Sequence, residues 1–215
     1  QQLWIINAYA LVLSGLLLGA GTLGDRTGHR RMFLIGLAVF GGASLLAAYS
    51  PSAWTLVLGR AFLGCGAAIM MPSSLALLRL TFPDEVERNT AIGIWGSVAV
   101  IGAAAGPTVG GFFLEHFWWG SVFLLNVPVV VVTIVLTLFL APPNTPNPLK
   151  HWDFPSCLYS LITLVSLVLA IKSLAHNWPV SAAAGIVFIC GALAFGRRQA
   201  RLSDPLLTFD IFGSR

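Results

Sequence analysis

Residues 56–72 read LVLGRAFLGCGAAIMMP, with one charge, Arg60, and no acid. The surrounding run, 53–77, is long enough to cross a hydrocarbon core of about 30 Å as a helix. Similar runs recur at roughly 4–20, 32–49, 89–113, 121–141, 155–174 and 179–196, which makes seven spans. Hydrophobic residues make up 57% of the 215 and charged residues only 9%, whereas soluble domains carry about 25% charged residues. Too few polar side chains remain to cover a water-facing surface. The fold class expected is an all-α polytopic membrane protein with the lipid bilayer as its first partner. An arginine inside the third span is then the feature to explain.

Outward from that span, the connections alternate in charge. Arg26, Arg30 and Arg31 follow the first span, Arg79 and Arg88 the third, Lys150 the fifth, and Arg197, Arg198 and Arg201 the seventh. The intervening connections are poor in Lys and Arg, and Lys172, Arg60 and Arg215 are the exceptions. The positive-inside rule puts the basic connections in the cytoplasm. The net charge of +4 is a product of that rule, so nucleic acid is not expected as a partner. PPNTPNP (142–148) is a stiff, extended linker. It separates a five-span bundle (1–141, linker 142–153) from a helix pair (154–197) and a basic segment (198–215). The chain opens inside or beside a span and stops where another would start, so it reads as a piece of a longer protein. Cys65, Cys157 and Cys190 lie unpaired in apolar runs and read as packing residues. No nucleophile–base–acid set, phosphate loop or metal-ligand spacing is present, so neither an enzyme nor a metal site is expected.

Three stretches do more than span. In GTLGDRTGHRRM (21–32), Asp25 and Arg26 are expected to start a tight turn in which Gly28 supplies φ > 0, with Arg30 and Arg31 opening the next helix. In the third span, Arg60, Gly64 and Ala68 share one helix face. A charge roughly 10 Å deep costs about 3 kcal/mol or more against lipid, so Arg60 faces the bundle interior; the competing reading is an arginine that snorkels outward. In GAAAGPTVGG (102–111), Gly102, Gly106 and Gly110 share a face that admits close helix packing. Pro107 removes one helical hydrogen bond and should bend the helix.

These stretches resemble the major facilitator superfamily. GTLGDRTGHRR is similar to its cytoplasmic loop signature, LVLGRAFLGCGAA to its fourth-helix signature and GAAAGPTVGG to its fifth-helix antiporter signature. HWDFPS and the helix pair resemble the fourteen-helix drug:proton antiporter branch. QQLWIINAYALVLSG and LEHFWWGSVFLLNVP resemble bacterial exporters of quaternary ammonium compounds and methyl viologen. The resemblance implies helices 2 to 8 of fourteen, with helix 1 and the C-terminal half outside this chain. It implies proton-coupled efflux of hydrophobic, often cationic toxic compounds across the bacterial inner membrane by alternating access, driven by the proton gradient without a cofactor. Gly21, Gly24, Asp25, Arg26, Gly28, Arg30 and Arg31 would form the cytoplasmic gate motif. Arg60 would belong to the proton-coupling network, and Gly102, Gly106, Pro107, Gly110 and Gly111 would shape the helix facing the other half. Where the resembled exporters carry an acid, this chain has Asn7, which cannot titrate, so divalent-cation recognition is in question.

For substrate contact the candidates are Asn7, Trp95 and Tyr159, the aromatics offering a face to a lipophilic cation. Trp4, Trp118, Trp119, Trp152 and Trp178 fit an interfacial aromatic belt. The alternatives are export of another drug or metabolite, and a truncated chain that does not transport.

Overall fold

The computed structural model describes residues 2–149, 152–174 and 177–200, without the side chains of residues 2, 3 and 18. The expectations for Lys150 and for 201–215, with Arg201 and Arg215, lie outside the described residues. Eight helices follow in order: α1 (Gln2–Thr27), α2 (His29–Ala48), α3 (Ala53–Thr81), α4 (Glu85–His116), α5 (Ser121–Leu124), α6 (Asn126–Leu140), α7 (Phe154–Ser173) and α8 (Trp178–Gln199). No strand occurs among the described residues. Six helical stretches are long and apolar enough to cross a membrane, α5 and α6 counting together as Ser121–Leu140. A seventh is α1, whose arms Trp4–Leu17 and Gly19–Thr27 meet at 53°.

Local chemistry sets the helix ends. Ser52 accepts a hydrogen bond from the Thr55 amide at the start of α3. Asp84 accepts from Val86 and Glu87 at the start of α4, and Asn177 accepts from Val180 at the start of α8. Each satisfies an amide that the first helical turn leaves without an intrahelical partner.

Small residues let the helices approach. A Cβ on Gly66 of α3 would lie 2.8 Å from the Phe40 amide nitrogen of α2, and one on Gly59 would lie 3.1 Å from Ala47. Ala43, Ala47 and Leu63 form the core there, flanked by Tyr9, Phe40, Leu56 and Phe123. A Cβ on Gly64 would lie 2.6 Å from the carbonyl oxygen of Tyr9, so α1 rests directly on α3. α6 docks on α2 through Val130 against Gly41 and through Asn126, whose amide donates to Ser44 Oγ at 3.3 Å. α7 packs on α1, with Leu161 against Gly15 and Cys157 against Gly19. α8 packs on α7, where Ser181 Oγ donates to the Ala170 carbonyl at 2.6 Å.

One expectation changes. Asp25 and Arg26 do not start a turn; they lie in the last turn of α1, and Gly28, at φ 94°, is the single non-helical residue before α2. The Gly28 amide still donates to the Gly24 carbonyl at 2.8 Å, and Met32 to the Gly28 carbonyl at 3.1 Å. Backbone pairing therefore runs through the polar stretch and leaves it no room to be a loop. Pro107 lies inside α4, which is one helix from Glu85 to His116. α4 buries none of its residues, and among the described residues nothing lies within 4 Å of a Cβ built at Gly102, Gly106, Gly110 or Gly111.

Candidate functional site

The turn between α1 and α2 gathers polar groups from α1, α2, α3 and α6 and from the linker, whose Asn144 bonds to both sides of it. Asp25 Oδ1 and His29 Nε2 are 3.0 Å apart across the turn. Gly24 leaves the space for that imidazole, since a Cβ there would lie 2.7 Å from His29 Nδ1. Arg30 reaches across to α6 and donates to the Leu138 carbonyl at 2.6 Å. A guanidinium on the last carbonyls of a helix satisfies acceptors that the helix leaves open and opposes its negative end. Arg26 and Arg31 are exposed. A cleft of about 410 Å³ beside the turn is lined by Gly21, Asp25 and His29 from α1 and α2, and by Pro72 and Arg79 from α3.

Arg60 lies on the α3 face that meets α1. Gly64 and Ala68 on the same face are buried, so the expected small-residue track holds a neighbouring helix. The titratable side chain that faces Arg60 is Tyr9 of α1. Arg60 Nε is buried and has no hydrogen-bond partner among the described residues. The arginine therefore points into the bundle, and its guanidinium keeps donor capacity for a partner that α1–α8 do not provide.

The three substrate-contact candidates do not converge. Asn7 lines a cleft of about 470 Å³ between α1 and α7, with Trp4, Lys172 and Asn177. Trp95 lines a different one, about 540 Å³ and mostly apolar, between α2, α3, α4 and α6. Tyr159, in the second turn of α7, lines neither. Among the described residues no group of three or more His, Cys, Asp and Glu side chains could hold a metal ion. Trp152 has a task besides belt-forming: its indole donates to the Gly19 carbonyl at 3.1 Å, where α1 bends.

At the end of the linker, Asp153, the residue before α7, joins α7 to α8. Arg198 donates to both its oxygens, at 2.9 and 2.8 Å, and Ser156 also donates to it. Gln199 in turn donates to Ser156 Oγ at 2.9 Å. The Arg198 hydrogen bonds hold the Asp153 carboxyl below its ordinary value against the opposing effect of burial.

The family model described as Major Facilitator Superfamily matches residues 1–208. The chain belongs to the major facilitator superfamily. Within it, the chain is 46% identical over 98% of its length to the multidrug efflux pump LfrA of Mycolicibacterium smegmatis. It is 40% identical over its whole length to the methyl viologen resistance protein SmvA of Salmonella typhimurium. It is 33% identical over its whole length to the riboflavin transporter RibZ of Clostridioides difficile. The chain spans 42%, 44% and 46% of the lengths of these relatives. It is an all-α, multi-pass member of a transporter superfamily.

Sequence reasoning missed three members of the turn cluster. His29 was signalled by its position four residues after Asp25, which puts the two on neighbouring helical turns. Arg79 counted only as a charge for topology, and nothing in its spacing links it to Asp25. Asn144, in the linker, carries no local signal at all.

Proposed function

We propose that the chain is the N-terminal part of a proton-coupled multidrug exporter of the bacterial inner membrane that moves hydrophobic, often cationic compounds out of the cell. The carrying observation is the 46% identity over 98% of the chain to a multidrug efflux pump. The methyl viologen resistance relative supports a cationic substrate. In this reading, the end of the bundle bearing Asp25, His29, Arg30 and Arg79 is the cytoplasmic gate. Two helical halves rock around a midplane site, and Asp25 biases which half-cycle is populated. A charge-assisted hydrogen bond of about 1.5–3 kcal/mol shifts such a two-state balance tenfold or more.

Arg60 supplies the coupling element. Its fixed positive charge lowers the pKa of a carboxylate brought against it, and proton binding to that carboxylate releases the pair. The eight acids of the chain lie at span ends or in connections. The titrating carboxylate therefore belongs to helix 1 or to the C-terminal half of the complete transporter. The glycine face of α4, with Pro107, packs against that same half.

The test is efflux of a fluorescent lipophilic cation from cells making the full-length protein, with and without a protonophore. Gradient-dependent efflux is expected. Retention of the dye at normal membrane abundance sinks the reading. Efflux of riboflavin alone would favour a metabolite exporter, which the riboflavin transporter relative makes the second reading.

A further inference from the structure

The segment leaving α6 has no helix or strand from Ala141 to Pro148, and its first two prolines have no amide hydrogen to give. It is nevertheless fastened. Asn144 reaches the α1–α2 turn and closes over both sides of it. Its Nδ2 donates to the carbonyl of Thr27, the last residue of α1, at 2.8 Å. Its Oδ1 accepts from the amide of Arg31, in the first turn of α2, at 3.1 Å. These partners are the groups that helix ends leave unpaired: a C-terminal carbonyl and an N-terminal amide. A carboxamide carries one donor group and one acceptor group on a planar head. Turning it over would set amide against amide and carbonyl against carbonyl, so the two partners fix its orientation.

The surroundings are shaped to receive it. Gly28 is buried, and a Cβ there would collide with the Asn144 carboxamide. Glycine at 28 is thus required twice, for φ 94° and for the seat of Asn144. Two further bonds flank the seat. The Asn147 amide donates to the Asp25 carbonyl at 3.2 Å, and Arg30 donates to the Leu138 carbonyl of α6 at 2.6 Å.

We propose that Asn144 is a positioning residue of the gate, a pin that fixes the segment leaving α6 onto the α1–α2 turn. The turn, Asp25 and the end of α6 then move as one piece. Both partners of the pin belong to α1 and α2, in the same bundle as the α6 from which its segment leaves, so it stays closed while the bundle rocks. Asn144 acts through Asp25 and the turn and touches no substrate. This inference rests on the gate reading given above.

The experiment uses the full-length protein in membranes and two readouts. Hydrogen exchange is followed at the Arg31 and Asn147 amides, and efflux of a fluorescent cation is measured against its concentration at matched abundance. Asn144→Ala is expected to speed exchange at both amides tenfold or more. It is expected to lower the maximal efflux rate several-fold and leave the half-saturating concentration unchanged. Asn144→Asp keeps the acceptor for Arg31 but loses the donor for Thr27, so it should fall between wild type and Ala; it carries the test if the Ala variant fails to accumulate. Unchanged exchange overturns the pin. Faster exchange with wild-type efflux overturns its role in the gate, and so does a rise in half-saturation alone. A wild-type protein that shows no efflux sinks the transport reading and the gate role with it, while exchange still decides whether the pin exists.

Discussion

Arg60 has a buried Nε without a partner in α1–α8, and leaving a buried charged donor unsatisfied costs more than the about 1–3 kcal/mol of a neutral group. A carboxylate that meets it only in part of the cycle would make that cost useful. In the full-length protein, Arg60→Ala should abolish uphill efflux. Arg60→Lys should retain a fraction, because lysine keeps a charge but loses the planar fork and deprotonates when buried. Normal pH-dependent efflux by the Ala variant would make Arg60 structural. Asp153 makes a separate prediction. Its carboxyl is held down by Arg198, so the pair stabilises the α7–α8 junction above the ordinary Asp value, about 3.9. That contribution fades as pH falls through the lower folded value. Protection of the amides at the start of α7, relative to their intrinsic exchange at each pH, should fall on acidification below pH 4, and Asp153→Asn should show the lowered protection already at pH 7. Arg60 was legible because one charge in an apolar run admits few explanations. Asn144 was not, since its partners are backbone groups more than a hundred positions earlier, and backbone groups leave no trace in side-chain identity.

At the level of elements, the spans were legible because hydropathy over about 20 residues reports the solvent directly. Their ends were less so. The stretch around Asp25 looks like a loop by composition, yet helix continues through it on either side of Gly28, because polar side chains outside the hydrocarbon do not oppose helical pairing. The glycines of α3 and α4 look alike in sequence, but their surroundings differ. Gly64→Ala places a methyl 2.6 Å from the Tyr9 carbonyl oxygen and should cost about 1–3 kcal/mol by overpacking, read as a lower melting temperature in detergent. Gly102→Ala and Gly106→Ala meet nothing within 4 Å among the described residues and should leave the melting temperature of this chain unchanged. In the full-length protein the same two changes should lower it, if α4 packs on the other half. Equal effects in both contexts would mean that this face meets lipid.

For the molecule as a whole, hydrogen bonds gather the ends of α1, α6 and α8 and the starts of α2 and α7 around one basic pole. At the opposite pole, Tyr49 meets Trp118 with ring centroids 5.3 Å apart. The charge rule makes the basic pole cytoplasmic. A cysteine at 52 should therefore react with an impermeant thiol reagent in intact cells, and one at the exposed position 26 should react only after permeabilisation; the reverse pattern would invert the orientation. The placing of α7 against α1 was beyond the sequence, because close approach at Gly15 and Gly19 depends on which helix arrives there. One further consequence follows from the single residue between α1 and α2. A ribosome adding about 5–20 residues per second needs about 1–4 s for the twenty residues of α2. With only Gly28 as slack, α1 cannot settle across the bilayer and wait far from its successor. The two therefore reach the membrane as one tethered unit, each still awaiting α3, which packs on both, and a lengthened connection at residue 28 would let α1 be released alone.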